Sequence, residues 1–309
     1  MGKDQLTEKV FQMYQEYPFP GDVQYQTEYL FPLMRFFAEK AGPGKRSILE
    51  QARVIEIGCG TGNTLVGLAE KYPSANFTGI DMTVNSLNIA QKKAEDKGLT
   101  NIRFMEKDIL NLDLEEQFDV VMCIGVLHHL ADMEKGLENI ANLMHEDSYL
   151  ILWLYGKHGR YRLNLNQQML AVLLKNVESL SEQVAITKEV LEKANDGLMS
   201  CHFNVPNSKM EDDWEESLQF VIQEESWLVD QFLHYNEKVV DMMEIVELGN
   251  KCGLQLSKWI GVSEDIADYI PSEEVIRQFA VLEEDDQRFV LDRLLKPNYY
   301  TVALQKKGT

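Results

Sequence analysis

A chain of 309 residues, 45% hydrophobic and 26% charged, is long enough for a globular domain with insertions and too balanced for a disordered or fibrous protein. No apolar run approaches the length of a membrane-spanning helix, and the polar N-terminus (MGKDQLTEKV) does not read as a signal peptide, so a cytoplasmic protein without membrane attachment is expected. Fifty acidic against thirty basic residues give a net charge of −20, which repels nucleic acid over long range. That balance fits a small-molecule or peptide substrate, a cationic one included, and equally fits plain solubility. The four cysteines lack metal-ligand spacing and suit a reducing compartment.

Residues 4–16 carry Leu6, Val10, Met13 and Tyr14 at helical spacing. Tyr17-Pro18-Phe19-Pro20-Gly21-Asp22 then stops the helix in an extended turn. A second helical pattern covers about 27–40, and Gly42-Pro43-Gly44 marks a linker. Val54-Ile55-Glu56-Ile57 alternates as a strand, and glycines follow at 58, 60 and 62 before an amphipathic helix that begins at Asn63. Glycines there allow positive φ, let a ligand approach the backbone, and present it to free helix N–H groups. A dinucleotide fingerprint has its third glycine three places after the second, and a phosphate-binding loop needs Lys and then Ser or Thr; neither pattern is present.

Asn76–Asp81 is the second strand and ends in an acid. A helix over about 84–97 follows, then a third strand, Ile102–Glu106, with Asp108 just beyond it. The apolar run Phe118–Ile124 has the character of a buried parallel strand and leads into Gly125-Val126-Leu127-His128-His129-Leu130. A helix over about 132–144, a turn at His145–Asp147 and a fifth strand over Tyr149–Gly156 complete an alternating series. Residues 157–236 are an insertion with helical patterns at about 163–176 and 180–194, followed by a polar bend through His202, Asn204 and Pro206. Asp230 and His234 stand at i and i+4 and would share a face of a helix. A helix over about 239–252, a sixth strand at Leu254–Ile260, helices over 272–280 and 284–295, and a seventh strand over Asn298–Gln305 close the chain. The expected fold is α/β: a doubly wound, mostly parallel seven-stranded sheet with an N-terminal helical lid and a helical insertion after the fifth strand. It divides into a cap (1–44), a core (45–156), an insertion (157–236) and a C-terminal completion (237–309).

The pattern Glu-x-Gly-x-Gly-x-Gly at Glu56–Gly62, with Asp81 closing the next strand and Leu127-His128-His129 after the fourth, resembles the class I S-adenosylmethionine (SAM) methyltransferases. The resemblance covers about residues 50–155. It implies SAM as cofactor, cradled by Glu56, Gly58, Cys59, Gly60, Gly62 and Asn63, with Asp81 on the ribose and Met82 on the adenine. It implies Asp108 and Ile109 at the adenine amino group, and Cys123 and Val126 beside the methionine portion. His129 or His128, with His234 behind, are the candidate bases. Tyr14, Tyr17 and Tyr25 on a lid, Trp153, Tyr155 and Tyr161 around the pocket, and His202 and Asp230 in the insertion are the candidate substrate contacts. Adjacent histidines diverge, so no metal is expected. The implied activity is methyl transfer to a nitrogen or oxygen nucleophile, the insertion serving substrate recognition or a homodimer surface. The alternative is a catalytically inactive SAM-binding regulatory protein.

Overall fold

The structure, a computed structural model, describes residues 3–20, 31–42, 47–194, 197–203, 205 and 213–308. Its frame is a seven-stranded sheet of β1 (Arg53–Ile57), β2 (Asn76–Asp81), β3 (Ile102–Glu106), β4 (Phe118–Ile124), β5 (Met144–Tyr155), β6 (Leu254–Trp259) and β7 (Tyr299–Lys306). The strand order is β3-β2-β1-β4-β5-β7-β6. The first five strands run parallel, and β7 lies antiparallel between β5 and β6. Along β4, Val120 and Met122 join one core while Val121 and Cys123 join the other, so both faces are covered and the strand is apolar throughout.

One face carries α2 (Phe31–Ala41) and α3 (Asn63–Lys71), through Leu33, Phe36, Phe37, Leu65 and Leu68. The other carries α5 (Met133–Ala141), which follows α4 (Val84–Asp96) in the chain, together with three later helices that span Met242–Lys251, Glu273–Ala280 and Glu284–Leu295. The insertion holds α6 (Tyr161–Leu173), α7 (Leu180–Lys193), α8 (Trp214–Gln223) and α9 (Glu225–Phe232). These helices share a third core with α1 (Lys3–Glu16), through Met13, Leu163, Leu170, Val184 and Trp227. The 1–44 segment therefore packs as two pieces: α1 belongs with the insertion and α2 with the sheet.

Three expectations change. Residues His145–Asp147 belong to β5, because the Ser148 hydroxyl accepts from the His145 N–H (2.8 Å) and donates to the Phe118 carbonyl (2.6 Å), which pairs the strand early against Phe118. Helices α8 and α9 were not anticipated from the sequence. The second ends at Phe232, so Asp230 and His234 do not share a helical face.

Candidate active site

The order of the sheet reverses between β1 and β4, and a crevice opens at the carboxyl ends of strands at such a point. A cavity of about 610 Å³ lies there, within the usual size of small-molecule sites. In the glycine loop, φ is +67° at Gly58, +50° at Gly60 and +76° at Gly62. A Cβ at Gly60 would stand 2.6 Å from the Phe19 carbonyl oxygen, so the turn after α1 lies directly on the loop. Gly58 and Gly60 line the cavity. Gly62 does not: a Cβ there would meet Ala90 at 2.7 Å, so this glycine serves the packing of α3 on α4.

Asp81 ties the tip of β2 to that loop. Its Oδ2 accepts from the Gly60 N–H (2.9 Å), and its Oδ1 accepts from the Thr83 N–H (2.9 Å) and hydroxyl (2.7 Å). Burial pushes its pKa up and these bonds pull it back. Asp108 lines the cavity while also capping a short turn, accepting from Leu110 N–H (2.9 Å) and Asn111 (2.6 Å). Met82, Ile109, Asn63, Cys59 and Val126 line it too.

Glu56 is 4% exposed, and its Oε2 has no hydrogen-bond partner among the described residues. Burial, with the nearby Asp81 charge, raises its pKa to about 8. An orphaned carboxyl oxygen beside a glycine loop fits a ligand that carries positive charge, as SAM does on its sulfonium and ammonium groups. The raised pKa means that folding favours the neutral acid. That contribution is full below the ordinary value of 4.5 and is lost as pH rises through about 8. The ligand-free protein should therefore lose stability across that window, and Glu56→Gln should flatten the loss. A bound cation should expel the proton at pH 7, seen by calorimetry in buffers of different ionisation heat and absent in Glu56→Gln.

Another part of the cavity wall is a chain of buried polar groups. The Tyr14 hydroxyl donates to Asp230 Oδ1 (2.8 Å), and the Tyr155 hydroxyl (3.1 Å) and Gln231 amide (2.7 Å) donate to Oδ2. Arg160, fully buried, donates to Gln231 Oε1 (3.2 Å), pairs with both oxygens of Glu237, and lies 3.4 Å over the Tyr155 ring. His129 Nδ1 is 3.0 Å from the Asn236 carbonyl, which can only accept, so Nδ1 carries the proton. Its Nε2 lone pair has no partner among the described residues, and His129 lines the cavity. Burial lowers its pKa to about 4, keeping it neutral. His234 accepts from the Asn236 N–H at Nδ1 (2.9 Å), and its Nε2 faces the Tyr14 hydroxyl at 3.1 Å.

The structure thus brings Tyr14, His129, Trp153, Tyr155 and Asp230 to the cavity with the glycine loop, Asp81 and Asp108. It does not bring the rest. Cys123 points into the sheet core. His128 is fully buried among His129, Trp153 and Tyr155, with neither ring nitrogen bonded among the described residues, and does not line the cavity. His234 reaches the site only through Tyr14. Tyr17 packs on the third core, Tyr161 is 62% exposed, and His202 is exposed; Tyr25 lies outside the described residues. Sequence reasoning missed Thr83, Gln231, Arg160 and Glu237. Only Arg160 left a signal, as part of a basic turn in an acidic chain.

Candidate ligand atoms of His129, Asp230 and His234 lie within 4.8 Å of one another. The two imidazoles are stacked, however, with centroids 3.8 Å apart and planes 20° from parallel. A metal bound by both rings lies near both planes, and these planes do not meet near the nitrogens. As arranged, Asp230 and His234 hydrogen-bond the Tyr14 hydroxyl, while His129 stacks on His234 and bonds Asn236.

A sequence profile described as a methyltransferase domain matches residues 48–224, more than half of the chain. An uncharacterized protein of Synechococcus sp. is 29% identical over 200 residues, covering 62% of this chain and 47% of that protein. The malonyl-[acyl-carrier protein] O-methyltransferase of Bacillus anthracis is 28% identical over 116 residues, covering 38% of this chain and 42% of that one. The (S)-tetrahydroprotoberberine N-methyltransferase of Eschscholzia californica is 26% identical over 108 residues, 35% of this chain and 31% of that one. These curated relatives are matched over less than half of their length. Among solved structures, that of PKMT2 from Rickettsia typhi in complex with AdoHcy has a TM-score of 0.67 at 17% identity, covering 91% of this chain and 54% of that one. At that identity the likeness is one of fold.

Proposed function

We propose that this chain, which belongs to the methyltransferase-domain family, is a SAM-dependent methyltransferase that methylates a nitrogen or oxygen nucleophile of a small molecule or peptide, held beside Asp230 in the cavity. The observation that carries this reading is one cavity lined both by the glycine loop with Asp81 and by Asp230 and His129. Two relatives support the choice of acceptor atoms, one named as an N- and one as an O-methyltransferase.

Bound SAM supplies a methyl group already activated by sulfonium. The protein has then to hold, align and exclude water. Asp81 is assigned to the ribose, Met82, Asp108 and Ile109 to the base, and Glu56, Gly58, Cys59, Gly60, Asn63 and Val126 to the remainder. Gly62 and Cys123 act from behind, through helix packing and the sheet core. The insertion and α1 together wall the part beside Asp230, in keeping with substrate recognition. Among the described residues no helix is long and apolar enough to cross a membrane.

His129 is the proposed proton acceptor, since its Nε2 lone pair has no partner among the described residues and its tautomer is fixed by Asn236. His234 has both nitrogens engaged, and His128 does not reach the cavity. His129→Gln should lower kcat about 100-fold, in the usual range for a lost general base, with unchanged affinity for S-adenosylhomocysteine. Turnover is read as S-adenosylhomocysteine formed from SAM with a small-molecule extract of the source cells. The wild-type profile should show no histidine inflection near 6.5, because this ring is held near 4. Wild-type turnover in the variant removes His129 from the role.

A further inference from the structure

We infer that the acceptor is an amine, bound through its N–H groups by Asp230; this rests on the methyl-transfer reading of the cavity. The cavity wall is acidic. The acids Glu56, Asp81, Asp108 and Asp230 line the cavity, whereas Lys107 is the sole lysine or arginine lining it among the described residues. Lys107 is committed to Asp113 at 2.6 Å. The Arg160 charge sits behind the Tyr155 ring and is spent on Glu237.

The hydroxyls beside Asp230 offer no protons to a ligand. Tyr14 donates to Asp230 Oδ1 and faces His234 Nε2 with its lone pairs. Tyr155 donates to Asp230 Oδ2 and accepts from Gln231. Burial holds both phenols protonated far above the ordinary range, so neither becomes an acceptor in their place. A carboxylate has about four acceptor positions. Three protein donors reach Asp230, and the side with room is Oδ1, where one donor binds. His129 Nε2 adds a second acceptor. A ligand that binds Asp230 Oδ1 and His129 Nε2 must therefore bring donors. A carboxylate nucleophile brings none and meets the Asp230 charge, and an alcohol brings one. An amine brings donors and, arriving as its ammonium, a complementary charge that the Trp153 and Tyr155 rings beside it suit; it must pass one proton to Asp230 or to His129 Nε2 before its lone pair can take the methyl group.

The test needs no knowledge of the natural substrate. S-adenosylhomocysteine analogues with nitrogen in place of sulfur carry an ethyl arm into the acceptor space, ending in an ammonium, a hydroxyl or a carboxylate. Calorimetry on the full chain ranks them against S-adenosylhomocysteine itself. The ammonium arm should bind about tenfold or more tighter than the hydroxyl arm, as expected of a charge-assisted bond in a desolvated site. The carboxylate arm should bind weakest. Asp230→Asn should close the gap between ammonium and hydroxyl and leave the affinity for S-adenosylhomocysteine in place. The wild-type ranking decides even if that variant does not fold. A hydroxyl or carboxylate arm that equals or beats the ammonium, or a gap that survives in Asp230→Asn, overturns the amine assignment alone. Failure of S-adenosylhomocysteine itself to bind takes the methyl-transfer reading of the cavity down with it.

Discussion

Arg160→Ala is expected to remove about 3–5 kcal/mol of stability, the usual cost of leaving one partner of a buried ion pair uncompensated. The Arg160 side chain is fully buried and that of Glu237 is 4% exposed, and no solvent reaches the pair to replace the lost partner. Nη2 meets Oε1 at 3.1 Å and Oε2 at 3.0 Å, Nη1 reaches Gln231, and the guanidinium stacks on Tyr155. Lysine cannot reproduce a planar fork that makes all of these contacts, so Arg160→Lys should recover little. Arg160→Ala with Glu237→Gln should recover part of the loss, because the stranded charge is then gone. Urea denaturation of the three variants measures this. The same change removes one hydrogen bond from Gln231 and the guanidinium from the Tyr155 ring, both of which orient Asp230, so the surroundings of Asp230 should suffer more than those of Asp81. A loss below 1 kcal/mol would mean that the pair is not buried as described.

The half of the site made by β1–β4 was legible because its signals are local. Strand residues, glycines and the terminal acid sit within a few positions of one another, and each glycine predicted to need positive φ has it. The resemblance misled at Cys123, which follows the alternation of β4 into the sheet core rather than toward the crevice. Nothing local distinguishes His128 from His129. The bond from the second ring to Asn236, 107 positions away, settles which one faces the cavity. The surroundings of Asp230 were illegible for the same reason. Tyr14 meets Asp230 across 216 positions and Arg160 meets Glu237 across 77. In α6, Tyr161, Leu165, Met169 and Val172 are exposed while Leu163 and Leu170 are buried, so apolar residues ring the helix and no pattern could say which face turns inward. The break at Glu224 between α8 and α9 carries neither Gly nor Pro, and the strand start at Met144 depends on a serine bridging to β4.

Asp81→Ala tests the assignment on which the others depend. The carboxylate is held beside the glycine loop by Gly60 and Thr83, at the tip of a strand in register with both neighbours. Hydrogen bonds to an ionised acceptor contribute about 1.5–3 kcal/mol each, so removing the ribose contacts should weaken binding at least about a hundredfold. The fold should survive, because burial already penalises this charge and the core beneath it is apolar. The measurement is calorimetric titration of wild type and Asp81→Ala with S-adenosylhomocysteine, alongside their thermal unfolding. Binding heat that vanishes in a variant that still unfolds cooperatively is the expected result. Wild-type affinity in that variant would show that the nucleoside lies elsewhere and that the crevice at the carboxyl ends of β1 and β4 is not the cofactor site.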